Sequence, residues 1–150
     1  MEQTDIPIIG RASRKLALIA HDTQREALID LLAEFLPLLK TMRIVAPYVT
    51  GTTCADALDL EVELVQSTVK GGDLQIGAMI VQGEVDAVIY LRDALFSQPY
   101  NPDIAPILRV CDIHRVPIAT NIATARAVLN SIKEARLRAA TIARYACLTL

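Results

Sequence analysis

The chain has no C-x-x-C pair, no basic surplus and no apolar run long enough to cross a membrane, and each absence removes a class of function. Its three cysteines, Cys54, Cys111 and Cys147, are odd in number and far apart. They predict neither a disulfide framework nor a zinc site, and read as small reduced core residues. Fifteen Lys and Arg against 17 Asp and Glu leave a formal charge of −2, which offers nucleic acid no attractive field. The longest stretch without a charged side chain, Ile44 to Ala55, falls well short of the roughly 20 apolar residues a bilayer demands, so no membrane partner is expected. Met1 to Lys15 carries Glu2 and Asp5 without a basic-then-apolar order, so it is not read as a secretory signal and the cytoplasm is the expected location. The motifs G-x-x-x-x-G-K and G-x-G-x-x-G are missing, which disfavours nucleotide-dependent phosphoryl transfer and dinucleotide binding.

What is present is a core. At 53% hydrophobic over 150 residues, the chain has the length and the apolar content of a single domain, residues 1–150, with Met1 to Ser13 as a loose lead-in. Short apolar runs at Lys15 to Ala20, Arg43 to Val49, Glu61 to Val65, Asp86 to Leu91 and Val116 to Ala119 read as buried strands. Helix-period segments lie between them: Thr23 to Lys40, with Pro37 expected to bend or shorten its last turn, then Asp73 to Gly83, Asn101 to Arg115, and Thr124 to the C-terminus. Strand and helix alternate, which predicts an α/β fold with a parallel sheet and helices on both faces. Ligands of such sheets bind outside the carboxyl ends of the strands.

The chemistry should therefore sit in four strand-to-helix loops. The first, His21-Asp22-Thr23-Gln24-Arg25, offers an imidazole, a carboxylate and a guanidinium, although Asp22 or Thr23 could simply cap a helix. In the second, Thr50-Gly51-Thr52-Thr53, three hydroxyls precede a helical turn, an arrangement that suits phosphate. The third, Ser67-Thr68-Val69-Lys70-Gly71-Gly72-Asp73, has a glycine pair that permits positive φ or close backbone approach. The fourth runs from Arg92 to Asp103 and is long for its class; Asn101 and Pro102 read as a helix start, which leaves Asp93 unexplained. Together the loops carry Asp22, Asp73, Asp93 and Asp103 beside the phosphate-suited groups of Arg25, Thr50, Thr52, Thr53 and Ser67. Carboxylates repel phosphate, so their presence around it points to proton transfer on the carbon skeleton of a phosphorylated small molecule.

These residues match a known pattern. Over nearly all of Lys15 to Ser131 the chain resembles the methylglyoxal synthase family. The resemblance is carried by Ala20-His21-Asp22, Thr50-Gly51-Thr52-Thr53, Gly71-Gly72-Asp73-Leu74-Gln75-Ile76-Gly77-Ala78, Asp93, Pro102-Asp103 and Pro117-Ile118-Ala119-Thr120-Asn121-Ile122-Ala123-Thr124-Ala125. It implies a Rossmann-like homohexamer, a lyase without metal or organic cofactor that turns dihydroxyacetone phosphate into methylglyoxal and inorganic phosphate. By position, Asp73 would be the base that takes the carbon-bound proton, Asp103 and Asp22 would assist proton movement, and Asp93 would support them. His21 would sit beside the substrate oxygens. Arg25, Thr50, Gly51, Thr52, Thr53, Ser67 and the backbone at Thr68 would hold the phosphate.

Three positions depart from the family. Arg25 stands where a lysine is usual, and its planar fork is not a copy of an ammonium. Thr68 stands where a glycine is usual, and would clash if that position required positive φ. Tyr100 replaces a histidine thought to touch the substrate's carbonyl and hydroxyl oxygens; a phenol, with an ordinary pKa of about 10, donates one hydrogen bond but shuttles protons poorly. The tail from Lys133 to Leu150 is also unlike the family's. The other expectation is a catalytically weak or inactive anion-binding regulatory module, similar to the methylglyoxal-synthase-like domains of carbamoyl phosphate synthetases. A pure sensor, however, has no use for Asp73.

Overall fold

The computed structural model describes residues 15–95 and 103–148. The expected lead-in, the Tyr100 position and the Asn101-Pro102 helix start lie outside these residues. Five strands, β1 (Lys15–Ala20), β2 (Arg43–Pro47), β3 (Glu63–Val65), β4 (Val85–Leu91) and β5 (Ile118–Ala119), form one sheet in the order β3-β2-β1-β4-β5. Every pairing is parallel, so all strand carboxyl ends share one rim.

Side-chain alternation divides the sheet into two apolar faces. Leu16, Leu18 and Ala20 of β1 point into one core with Leu28, Leu32, Cys54 and Leu129, whereas Ala17 and Ile19 point into the other with Ile76, Ile80, Ile107 and Cys111. The first layer is thus built from α1 (Arg25–Glu34), α2 (Leu36–Leu39), α3 (Tyr48–Leu58) and α6 (Ile122–Leu148), and the second from α4 (Gly72–Val81) and α5 (Ala105–His114). All six residues of β1 are buried. Each large side chain among them stabilises the fold by roughly 1.5 to 3 kcal/mol through burial.

The helix expected over Thr23 to Lys40 is interrupted. A 3-10 turn at Asp22–Gln24 leads into α1, and Phe35, at φ −113° and ψ 16°, separates α1 from α2. Pro37 is the cause, since it lacks an N–H and its ring would meet the carbonyl one turn back. Two further expectations need correcting. The second strand ends at Pro47 rather than Val49, and the threonine string is not a loop but the opening turns of α3. Proline at the strand's end cannot donate to the ladder, and its extended backbone hands the chain straight to a helix. Cys54 and Cys111 are buried, as expected of core thiols, but Cys147 is exposed. It lies near the end of α6, past the points where Arg126 pairs with Glu34 at 2.8 Å and Arg136 donates to the Thr41 carbonyl at 3.1 Å, in a stretch, 137–148, that is exposed throughout.

Candidate active site

His21 follows the last residue of β1, and its ring is tied to the loop that follows the neighbouring strand β4. The main-chain N–H of Asp93 donates to its Nδ1 at 3.0 Å. A neutral imidazole that accepts at Nδ1 carries its proton on Nε2. Burial pulls the His21 pKa below the ordinary 6.5; Asp93 and Asp22 pull it back up, and Arg92 adds to the lowering. The neutral form with Nε2–H is therefore favoured. That N–H is buried and has no partner among the described residues, and the same is true of Nε of Arg25.

Arg25 opens α1 and forms an ion pair through Nη2 with the exposed carboxylate of Asp22. Neither Asp22 nor Thr23 caps the helix with its side chain. Thr23 instead donates its hydroxyl to Oδ2 of Asp93 at 2.8 Å, and Oδ1 of Asp93 accepts from the Leu95 N–H at 3.0 Å. Asp93 thus joins the first and fourth loops through its backbone and both carboxylate oxygens, a positioning task that explains its presence after β4.

Thr50 is 3% exposed, and its hydroxyl lies 3.4 Å from the Ala20 carbonyl at the end of β1. Thr52 and Thr53 bond back to their own helix, Oγ1 of Thr52 donating to the Tyr48 carbonyl at 2.8 Å and Oγ1 of Thr53 to the Val49 carbonyl at 2.7 Å. Such bonds are the ordinary satisfaction of a helical threonine. To donate to an anion, both hydroxyls must rotate away from them. Gly51 packs inward; a methyl there would fall 3.2 Å from the Ala46 side chain and 2.3 Å from the end of Leu64.

The third loop explains its glycine pair. Thr68–Lys70 form a 3-10 turn, and the left-handed position is Gly71, at φ 91°. Thr68 is not among the residues of positive φ, so the condition under which its side chain would clash is not met. Gly72 serves close approach: a Cβ would sit 1.7 Å from the Gln66 carbonyl oxygen, and the Gly72 N–H donates to the Ser67 carbonyl at 2.9 Å. Gln75 clamps the same junction, accepting the Gln66 N–H at 2.8 Å. The turn delivers Asp73 into the first turn of α4, where it is only 4% exposed. Ser67 ends up on a groove along the β3 edge with Tyr48, Gln66 and Lys70.

Asp103 is exposed and accepts the Ala105 N–H at 3.0 Å, so it also caps α5. A further residue, Tyr90 of β4, was not singled out by its sequence. Its ring is fully buried and packs edge-on to His21, with centroids 5.9 Å apart and planes at 79°. Burial first, then the charges of Asp73 and Asp103, push its pKa up to about 12, with Arg92 opposing. The signal was a polar-tipped aromatic in the otherwise aliphatic end of a strand, two positions before the fourth loop begins.

The rim thus gathers the neutral His21, the Arg25–Asp22 pair, the α3 threonines, buried Asp73, and Asp93 as a tie, with Asp103 at the start of α5. No family model matches the chain. Curated relatives do. A methylglyoxal synthase from Burkholderia lata is 48% identical over 118 residues, 79% of this chain and 91% of that one. One from Burkholderia multivorans is 46% identical over the same length. Among solved structures, the methylglyoxal synthase of Elizabethkingia anophelis is similar with a TM-score of 0.75 and 32% identity, covering 79% of this chain and 78% of that one. The chain belongs to the methylglyoxal synthase family.

Proposed function

We propose that this lyase converts dihydroxyacetone phosphate into methylglyoxal and inorganic phosphate. The observation that carries the reading is a pair of buried N–H donors without a partner among the described residues, Nε2 of His21 and Nε of Arg25, on the rim that also presents the buried Asp73. A buried donor without an acceptor costs about 1 to 3 kcal/mol, more when charged. An anionic, oxygen-rich ligand removes that cost.

In this reading Asp73 takes a proton from the hydroxymethyl carbon of the substrate, leaving an enediolate whose oxygen accepts from His21 Nε2. The electron pair then expels the phosphate by breaking its bond to the third carbon. The resulting enol collects a proton on carbon and becomes methylglyoxal. Arg25, the α3 hydroxyls, Ser67 and the Thr68 backbone receive the departing charge in place, which is the differential stabilisation catalysis requires. Asp22 and Asp103 assist the returning protons, and Tyr100 donates to the substrate oxygens. A carboxylate in water is a weak base towards carbon, and the burial of Asp73 limits the water around it.

Assembly with further copies, as a hexamer, belongs to the same proposal. Tyr48, Val49, Val69 and Leu74 are exposed apolar side chains near the rim, the kind of surface such copies would cover. No helix among the described residues is long and apolar enough to cross a membrane. The regulatory-module reading is not favoured, because the relatives matched over 91% of their length are synthases.

The test is direct. Purified protein given dihydroxyacetone phosphate should release methylglyoxal, and Asp73→Asn should lose about a hundredfold or more in rate while still binding phosphate. Product at the buffer rate only would overturn the proposal in favour of an anion sensor.

A further inference from the structure

We propose that Tyr90 is a positioning residue for this reaction: its buried ring fixes the plane of the His21 imidazole, so that Nε2 faces the substrate. The inference rests on the functional reading above and adds to it a residue on the neighbouring strand.

Parallel pairing of β1 with β4 sets Tyr90 opposite Ile19, two residues before His21. The Tyr90 side chain points to the face covered by α4 and α5, in one core with Ile19, Ile76 and Ile107. The same two helices have Asp73 and Asp103 at their starts. The phenol ring is therefore walled in on every side and has no room to swing, while its edge-on contact at 5.9 Å bears on the imidazole. Asp93 N–H fixes one point of that imidazole, at Nδ1. With Cγ held covalently, that one bond still lets the ring plane rock; the edge-on Tyr90 ring limits this motion. Both are needed to aim Nε2.

The phenol, with its pKa pushed up to about 12, stays protonated across the working range and adds no charge beside His21. The contact thus acts through ring shape and quadrupole rather than through ionisation. Replacement by another six-membered aromatic ring should keep it, and replacement by a branched or flexible aliphatic should not.

The experiment compares Tyr90→Phe with Tyr90→Leu, and uses Tyr90→Met should the leucine variant fail to fold. Each is read in steady-state kinetics and in the 15N spectrum of the His21 ring without substrate. Tyr90→Phe is expected to keep kcat and the single Nε2–H tautomer. The aliphatic variant is expected to lose about ten- to a hundredfold in kcat with KM little changed, and to show shifted, broadened His21 ring signals as the ring rocks and its bond to Asp93 weakens. An aliphatic variant with wild-type kcat and an unaltered imidazole spectrum would overturn the proposal. So would a phenylalanine variant as impaired as the aliphatic one, since the hydroxyl and not the ring would then be responsible. The spectrum needs no turnover, so a protein that released no methylglyoxal would sink the functional reading and still report whether Tyr90 holds the ring.

Discussion

The backbone N–H of Asp93 and the Nδ1 of His21 are 3.0 Å apart, and this bond makes a proton count matter. It exists only while Nδ1 is unprotonated. Because burial leads the lowering of the His21 pKa below 6.5, the folded chain takes up that proton later than the unfolded chain as pH falls. The contribution of His21 to stability is full above pH 6.5 and declines from there through the lower folded value. In NMR titration His21 should have its midpoint below 6.5, and kcat/KM should fall as the ring protonates and the tie to Asp93 breaks. A midpoint above 6.5 would contradict this account.

Arg25 should act on binding more than on turnover. A hydrogen bond to a charged partner is worth about 1.5 to 3 kcal/mol, so Arg25→Gln should raise KM by about tenfold or more. Inorganic phosphate should compete less well with substrate in that variant. Arg25→Lys should recover part of the loss, since the charge returns without the planar fork.

Gly72 and Gly71 should fail for different reasons. Gly72→Ala puts a Cβ 1.7 Å from a backbone oxygen and forces the junction apart. Overpacking of this kind costs about 1 to 3 kcal/mol and drags Asp73, the next residue, out of place. Gly71→Ala meets only the end of the Leu74 side chain, at 4.0 Å, but must hold φ 91°, a strain of roughly 1 to 3 kcal/mol. Urea denaturation should therefore find both variants destabilised, while kcat falls further in Gly72→Ala.

Tyr100 lies outside the described residues, and its prediction comes from the family pattern alone. Tyr100→His should raise turnover by restoring a side chain that exchanges protons near neutral pH. An unchanged or lower rate would make Tyr100 an adapted residue of this chain.

Much of this architecture was legible because its cause is local. Alternating apolar runs and helical periods gave the parallel sheet with helices on both faces, and Pro37 announced the break after α1. Asp73 was readable from the glycine pair before it. The start of α3 was not, because threonine and glycine are weak helix formers and read as a loop; Pro47 was the available sign. The strand order and Tyr90 were hidden for a different reason. Neighbouring strands β1 and β4 are separated by more than sixty residues of chain, so the meeting of Tyr90 with His21 is a tertiary fact that no window along the sequence contains. Asp93 was visible as unexplained, but its two-sided tie required the same long-range pairing.

The placement of β1 at the centre of the sheet has a bearing on how substrates are admitted. A fully buried middle strand belongs to the part of a fold that opens only when the whole molecule does, and His21 hangs from its last residue. The donor is thus anchored to the stiffest element available, and any gating that lets a triose enter or its products leave falls to the peripheral connections. Amide exchange should find its slowest sites at Leu18 and Ile19, a few ångströms of chain away from where the chemistry turns over.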